Sequence, residues 1–529
     1  SSGSIRCVPR RKLIAIRPLN RIVRAFSIAA VAAATLALPA VAHAQASLYV
    51  PLDDIAYRFA DALIARGELR GVSLLERPYT AQQLSAGADT ALSHTNSAII
   101  RSYAIALRTA LQRYVVDTTG ATTSPDNPAF FANADVFTTA QTSGQRELML
   151  ADTNSSVTGG AGFRLAMVAG PIAAVIHPVI DNRLNNDPDF AGRQDRVIAG
   201  RTEDAYVSGQ WKYGSIFAGR IGRNWGPSSL QGLQLGSAPY TYDHLYTQIG
   251  TDRVHMSALA TRLDDAFQPD GVYARYFYTH RLSVRWRDLE VGASEGYLAY
   301  GIGRSYDPSL INPLNIYALS WRNERIAGNL TIGGTMAVRT AFGNYSTELL
   351  LGNRQIDSCS SLVCQEPASY GFSATAEGVP LFGDQRIFAS YSRLSGLAYR
   401  AKQGPAGEYA SLGVGLGQAF SDYDELKVGA DLAAVPYTTL RVYGAYRRQG
   451  QGDYHLPFPA PAAYPTTPGF LQGIVEKVAR AGIEGGGMIA PGFELTADVG
   501  VNHVTNSDHL IGVTRNTIAA RARFQWTPR

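Results

Sequence analysis

The C-terminal stretch 518–526 alternates strictly: Ile518, Ala520, Ala522, Phe524 and Trp526 fall on one side, Ala519, Arg521, Arg523 and Gln525 on the other. A period of two places such sets on opposite faces of a strand. The pattern recurs. Leu440, Val442 and Tyr446 oppose Arg441 and Arg447; Leu495, Ala497, Val499 and Val501 oppose Glu494, Thr496, Asp498 and Asn502; Leu282, Val284 and Trp286 oppose Arg281, Ser283, Arg285 and Arg287. A soluble sandwich alternates too, but its inner face is built from large aliphatics. Here the apolar face is thin, rich in Ala and Gly, with aromatics near strand ends, which suits contact with lipid around a polar lumen. At about twenty residues per strand and connection, residues 146–529 predict an all-β transmembrane barrel of roughly 16–18 antiparallel strands.

What precedes the strands fits export. Arg10, Arg11, Lys12, Arg17, Arg21 and Arg24 form a basic region, 25–38 is apolar, Pro39 breaks it, and Ala42-His43-Ala44 is a small-x-small site. Residues 1–44 therefore read as a secretory signal peptide. They hold seven of the 48 Lys and Arg and none of the 43 Asp and Glu, which leaves 41 basic against 43 acidic residues, a net charge of −2. The basic balance of the whole chain thus gives no argument for nucleic acid.

Residues 45–116 read as a small periplasmic α-helical region. Ile55, Phe59 and Leu63 form one stripe that Gly67 ends; Thr80 can cap a helix containing Leu84; Ile99, Ile100, Tyr103, Leu107, Leu111 and Tyr114 share a face of a longer one. Residues 117–145, rich in Thr, Ser, Gly, Asn and Pro, read as a linker, and 146–529 as the outer-membrane barrel. Val435-Pro436-Tyr437-Thr438 and Ala490-Pro491-Gly492 are tight and suit periplasmic turns; 449–473 is long and Pro-rich and suits an extracellular loop. If Pro380–Asp384 is also a periplasmic turn, 413–434 has to form one long strand. Cys359 and Cys364, with four residues between them in the polar stretch IDSCSSLVCQEP, would form a disulfide in an oxidising compartment.

Chemical motifs are few. Gly292-Ala293-Ser294-Glu295-Gly296 matches the nucleophile-elbow pattern but lies within an alternating strand with no helix after it. The oxygen-rich run 181–189 lacks calcium-loop spacing and reads as a solvated turn. No metal, cofactor or catalytic site is expected. In Gly219–Pro227, Trp225 beside Arg223 and Asn224 offers sugar-binding chemistry, an indole to stack and polar groups for hydroxyls. The same residues could instead pin a loop inside a barrel.

Three segments resemble the Wzi family of capsule-assembly outer-membrane proteins: YVPLDDIAYRFADALIARGELRGVSLLERPYTAQQL, GRIGRNWGPSSLQGLQLGSAPYTYD and HRLSVRWRDLEVGASEGYLAYGIGRSYDPSLINPLNIY. FSDYDELKVGADLAAVPYTTLRV and RRQGQGDYHLP extend the similarity over most of the chain. The single Trp225 before Gly-Pro and the following LGSAPYTY mark a divergent relative. The resemblance implies a monomeric barrel with periplasmic helices and loops that constrict the lumen. It implies a surface lectin, not an enzyme, that binds and anchors capsular or other surface polysaccharide, with Trp225, Arg223, Asn224, Tyr240 and Tyr242 as glycan-binding candidates. Arg220, Arg285, Arg287 and Arg441 would line the lumen, ordering a plug or favouring an acidic glycan. Expected partners are polysaccharide, outer-membrane lipid and the barrel-assembly machinery, through the C-terminal strand. The competing reading is a porin or specific channel for small polar or anionic solutes, which the Arg-rich lumen face and barrel size also suit.

Overall fold

The computed structural model describes residues 45–114, 123–324, 328–352, 367–401 and 404–528. The proposed signal peptide and the Cys359–Cys364 pair lie outside them. Eighteen antiparallel strands form one closed sheet among these residues. They are β1 (Ala129–Gln141), β2 (Ser156–Ala169), β3 (Ile172–Asp181), β4 (Gly200–Trp211), β5 (Gly214–Arg220), β6 (Asp243–Gly250), β7 (Val254–Arg262, resumed at Ala266–Gln268), β8 (Gly271–Trp286) and β9 (Leu289–Ile302). The other half holds β10 (Gly328–Thr340), β11 (Gly343–Gly352), β12 (Ser369–Pro380), β13 (Arg386–Leu394), β14 (Tyr423–Leu432), β15 (Thr438–Gln449), β16 (Glu476–Ala490), β17 (Phe493–Thr505) and β18 (Thr514–Trp526). Closure is between β1 and β18, with Val136 opposite Trp526 and Gln141 opposite Arg521. Closing the sheet leaves no edge and satisfies the ladder without water, which a bilayer requires.

Two sequence expectations are corrected. The stretch 117–145 is not simply a linker: it supplies β1, whose alternation in AFFANADVFTTAQ is hidden among small and polar residues. Nor does 413–434 form one long strand. The wall strand is the shorter β14, and 414–415 pairs with 410–411 in a small ribbon. The turns at 381–385 and 433–437 share an end of the barrel because a long loop, 395–422, separates β13 from β14.

The alternation sorts as the chemistry demands. Leu282, Ile332, Val428, Ile483, Val499 and Ile518 are exposed on the outer wall. Arg281, Arg447, Arg480 and Asn502 are buried on the inner face. At the end with the short turns, Phe130, Trp286, Phe342, Phe382, Tyr437 and Trp526 stand exposed, an aromatic girdle of the kind that marks a membrane interface.

Three helices sit inside the short-turn end: α1 (Ile55–Ile64), α2 (Ala81–His94) and α3 (Ala98–Leu111). Thr80 caps α2 reciprocally with Gln83, and Asp54 and Ser97 cap the other two. Phe59, Leu63, Leu84 and Leu107 form their common core at 0 % exposure. The bundle is tied to the wall. Asn344 donates to Ile64 O at 3.0 Å, Ser97 Oγ to Asp384 at 2.7 Å, and Arg113 bridges Asp54 at 3.1 Å and Glu494 at 3.0 Å. Gly378 has φ +71°, and a Cβ there would stand 2.1 Å from Ala65 O, so only glycine lets the α1 terminus lie this close to β12.

Candidate functional site

Two long loops turn inward and meet the helical bundle within the lumen. Loop 221–242 is shaped by Asn224, whose Oδ1 accepts from Gly232 N at 2.6 Å and whose Nδ2 donates to Leu230 O at 2.9 Å. Its tip is held by Glu348 on β11, which accepts from Leu233 N at 2.9 Å and Gln234 N at 3.3 Å. Loop 395–422 is held by Arg275 on β8, which donates to the carbonyls of Ala406, Glu408 and Ala410 at 3.1, 2.6 and 2.9 Å. The loops also bind each other: the Tyr409 hydroxyl donates to Gln234 O at 2.8 Å, and the Tyr399 hydroxyl donates to Leu233 O at 2.5 Å. The bundle side is fixed by Glu76, which meets His255 and Arg281, each at 3.1 Å, and Ser283. Burial alone raises the Glu76 carboxyl; Arg281 and then His255 outweigh it and hold it at about 2.

Between these inward segments and strands β13 to β17 lies a cavity of about 340 Å³. Arg447, 2 % exposed, lies 4.7 Å from the Phe420 ring and 4.4 Å from the Tyr423 ring, with Glu425 at 3.7 Å. Lys427 pairs with Glu484 at 3.0 Å and sits over Tyr443, 4.1 Å from its centroid. Arg480 pairs with Asp498 at 2.8 Å and donates to the Tyr443 hydroxyl at 2.7 Å. Arg146 reaches the cavity from the connection between β1 and β2, and Gln231 from loop 221–242. Ring faces beside fixed charged donors and acceptors can stack a pyranose and bond its hydroxyls.

The five glycan candidates lie elsewhere. Trp225 is 2 % exposed in the first inward loop. Arg223 donates to His244 Nε2 at 2.8 Å and lies 3.6 Å from the Tyr246 centroid; burial pulls its guanidinium below the usual arginine range. Both line a cavity of about 1010 Å³ at the short-turn end, beside Tyr79 and Gln210. Tyr240 lies between Arg146 and Arg201, at 4.8 and 4.3 Å, in a cavity of about 250 Å³, and bonds Asp187. Tyr242 packs beside His244 with centroids 5.8 Å apart. None of the five lines the 340 Å³ cavity.

Of the lumen candidates, Arg441 pairs with Asp431 at 2.6 Å, and Arg285 reaches Gly71 O at 2.8 Å. Two are corrected. Arg287 has φ +55° in the β8–β9 turn and is exposed beside Trp286. Arg220 shares the outward parity of Ile216 and pairs with Asp243 on the long-loop rim. β8 ends at Trp286, so its alternation does not reach Arg287, and the inward side of β5 is that of Ser215 and Phe217. Ser294 lies mid-strand in β9, opposite Arg281 and Gly333. In the 181–189 run, Arg183 pairs with Asp187 at 3.0 Å and Asp181 at 3.5 Å, so these carboxylates are already neutralised by a cation of the chain.

A closed eighteen-strand sheet with an apolar outer wall, an aromatic girdle and a charged lumen defines an outer-membrane β-barrel. Among solved structures, the chain is similar to Wzi of Escherichia coli, described as an outer-membrane protein involved in group 1 capsule assembly and a carbohydrate-binding β-barrel. That likeness has a TM-score of 0.60 and 11% identity, and covers 90% of this chain and 98% of that one. OprD of Pseudomonas aeruginosa also matches, with a TM-score of 0.43 and 10% identity over 78% of this chain and 98% of that one. No family model and no curated protein sequence matches.

Proposed function

We propose that this barrel is a surface lectin that binds and anchors capsular or other surface polysaccharide, with the 340 Å³ cavity as a saccharide site. The observation that carries the reading is the double occupation of the lumen. Two loops and the helical bundle are bonded to the wall and to one another, and what they leave is a polar, aromatic-lined cavity suited to retention. The similarity of fold to a barrel described as carbohydrate-binding points the same way. In this reading the helical end faces the periplasm, the long loops face outward, and no bond is made or broken. Trp225, Arg223 and Asn224 serve by holding the plug, while Phe420, Tyr423, Tyr443 and Arg447 contact sugar.

The test is a deletion strain of the source bacterium, comparing cell-bound polysaccharide with polysaccharide free in the medium. Unchanged total polymer with a shift into the medium supports the lectin. An unchanged partition, together with steady conductance of the purified barrel in a planar bilayer, overturns it in favour of a channel.

A further inference from the structure

Residues 303–324, which follow β9, fold along the outside of the barrel. The parity of β8 fixes which side is outside: Arg275, Phe277 and Arg281 reach the plug, while Leu282 and Trp286 are exposed on the opposite face. His280 belongs to that outer face, and its ladder partner Glu295 does too. The two side chains pair at 3.2 Å and are only 9% and 15% exposed. What covers them is the segment itself. Glu295 accepts the backbone N–H of Tyr317 at 2.7 Å and of Ala318 at 3.4 Å, at the start of the helix Tyr317–Glu324. The Tyr317 ring lies 4.2 Å from that of His280. Higher on the wall, the Tyr278 hydroxyl accepts from Asp307 N at 3.0 Å, and the Tyr276 hydroxyl donates to Arg304 O at 3.2 Å.

The pair lies at membrane depth. His280 is six residues above the girdle residue Trp286, and at roughly 2.5 Å of height per tilted residue this is about 15 Å into an apolar band about 25 Å tall. A carboxylate and an imidazole facing hydrocarbon are expensive unless covered and hydrogen-bonded. Here both are covered, and Glu295 holds His280 Nε2 and two backbone N–H groups, while His280 Nδ1 has no hydrogen-bond partner among the described residues. The covering segment then presents its own apolar side chains: Leu314, Ile316 and Leu319 are 78%, 52% and 54% exposed. They continue the outer wall of Leu282, Ile332 and Met336. We infer that 303–324 is a membrane-seated flap, clamped to the wall by His280 and Glu295, whose free face takes the acyl chains of the leaflet on the long-loop side.

The experiment uses the full barrel in phospholipid nanodiscs, with Cys7, Cys359 and Cys364 replaced by Ala and a nitroxide attached to a cysteine at position 316 or 319. Position 282 serves as the lipid-facing reference and 456 as the water-facing one. The expected result is a several-fold excess of relaxation by oxygen over relaxation by a water-soluble nickel chelate at 316 and 319, as at 282. A ratio like that at 456 overturns the inference. So does exclusion of both reagents with dipolar broadening, which would place a second copy of the chain on the flap. Glu295→Gln should shift the ratio at 319 toward the water-facing value and leave 282 unchanged; no shift would overturn the clamp.

Discussion

Arg77 and Asn224 exchange both backbone hydrogen bonds, Arg77 N–H to Asn224 O at 3.0 Å and Asn224 N–H to Arg77 O at 3.1 Å. A segment that enters from the helical end and a loop that enters from the other therefore meet as a two-residue antiparallel bridge inside the barrel. The lumen is closed by one connected body. A change on either side of this bridge should be felt on the other.

Asn224 is the side chain that shapes the loop side. Asn224→Ala leaves the buried Gly232 N–H and Leu230 carbonyl without their partner, which costs about 1–3 kcal/mol. The expected result is a lower unfolding temperature in detergent, with Trp225 emission shifted to the red as the loop loosens. Wild-type values for both would show that Asn224 does not hold the loop.

Trp225 fills the plug core, and Trp225→Ala should cost about 3–5 kcal/mol through the cavity it leaves. Glycan retention per folded molecule should stay at the wild-type level. A stable variant that loses retention would return Trp225 to the sugar site.

Glu76 links the bundle to β7 and β8 and sets an acid limit. Its folded value of about 2 lies below the ordinary glutamate value of about 4.3. A lowered value means that the contribution is complete above the unfolded value and is lost as pH falls from about 4 toward 2, on the order of 3 kcal/mol. Stability measured against pH should fall in that window. Glu76→Gln should flatten the fall and lower stability at pH 7, because Arg281 and His255 then lose their carboxylate.

Arg275 gathers three carbonyls of the second inward loop. Arg275→Ala should ease local opening of that loop by about 2–4 kcal/mol without unfolding the wall. In planar bilayers the variant should show brief conductance events where the wild type is silent. Silence in both would mean that the loop is held by its other contacts.

Phe420 and Arg447 test the saccharide cavity. Phe420→Ala removes a stacking face worth about 1–1.5 kcal/mol and should weaken glycan binding roughly tenfold. Arg447→Met leaves the half-buried Glu425 without its partner, so it is paired with Glu425→Gln to keep the fold. The double variant should keep its unfolding temperature and lose binding, as read by titration with purified polysaccharide fragments.

The sequence by itself determined the wall. Period-two alternation depends only on neighbours along the chain, so the outward Ile518 and Phe524 and the inward Arg521 and Arg523 were legible without any partner strand. The same holds for the helices, whose stripes and caps at Thr80 and Gly67 are local signals. Where the local signal weakens, so did the reading. Small polar residues hid β1, and the ends of β5 and β8 misplaced Arg220 and Arg287. The plug and the cavity were decided only by tertiary structure. Phe420 and Arg447, or Glu348 and Leu233, come together because closure of the sheet sets the positions of β11, β14 and β15 and the loops then fill the space between them. Such contacts join residues far apart in sequence through loops without periodicity, so no local pattern records them. For the same reason Trp225 could be recognised as exceptional from its neighbours, while its burial depended on Leu235 and the bridge to Arg77.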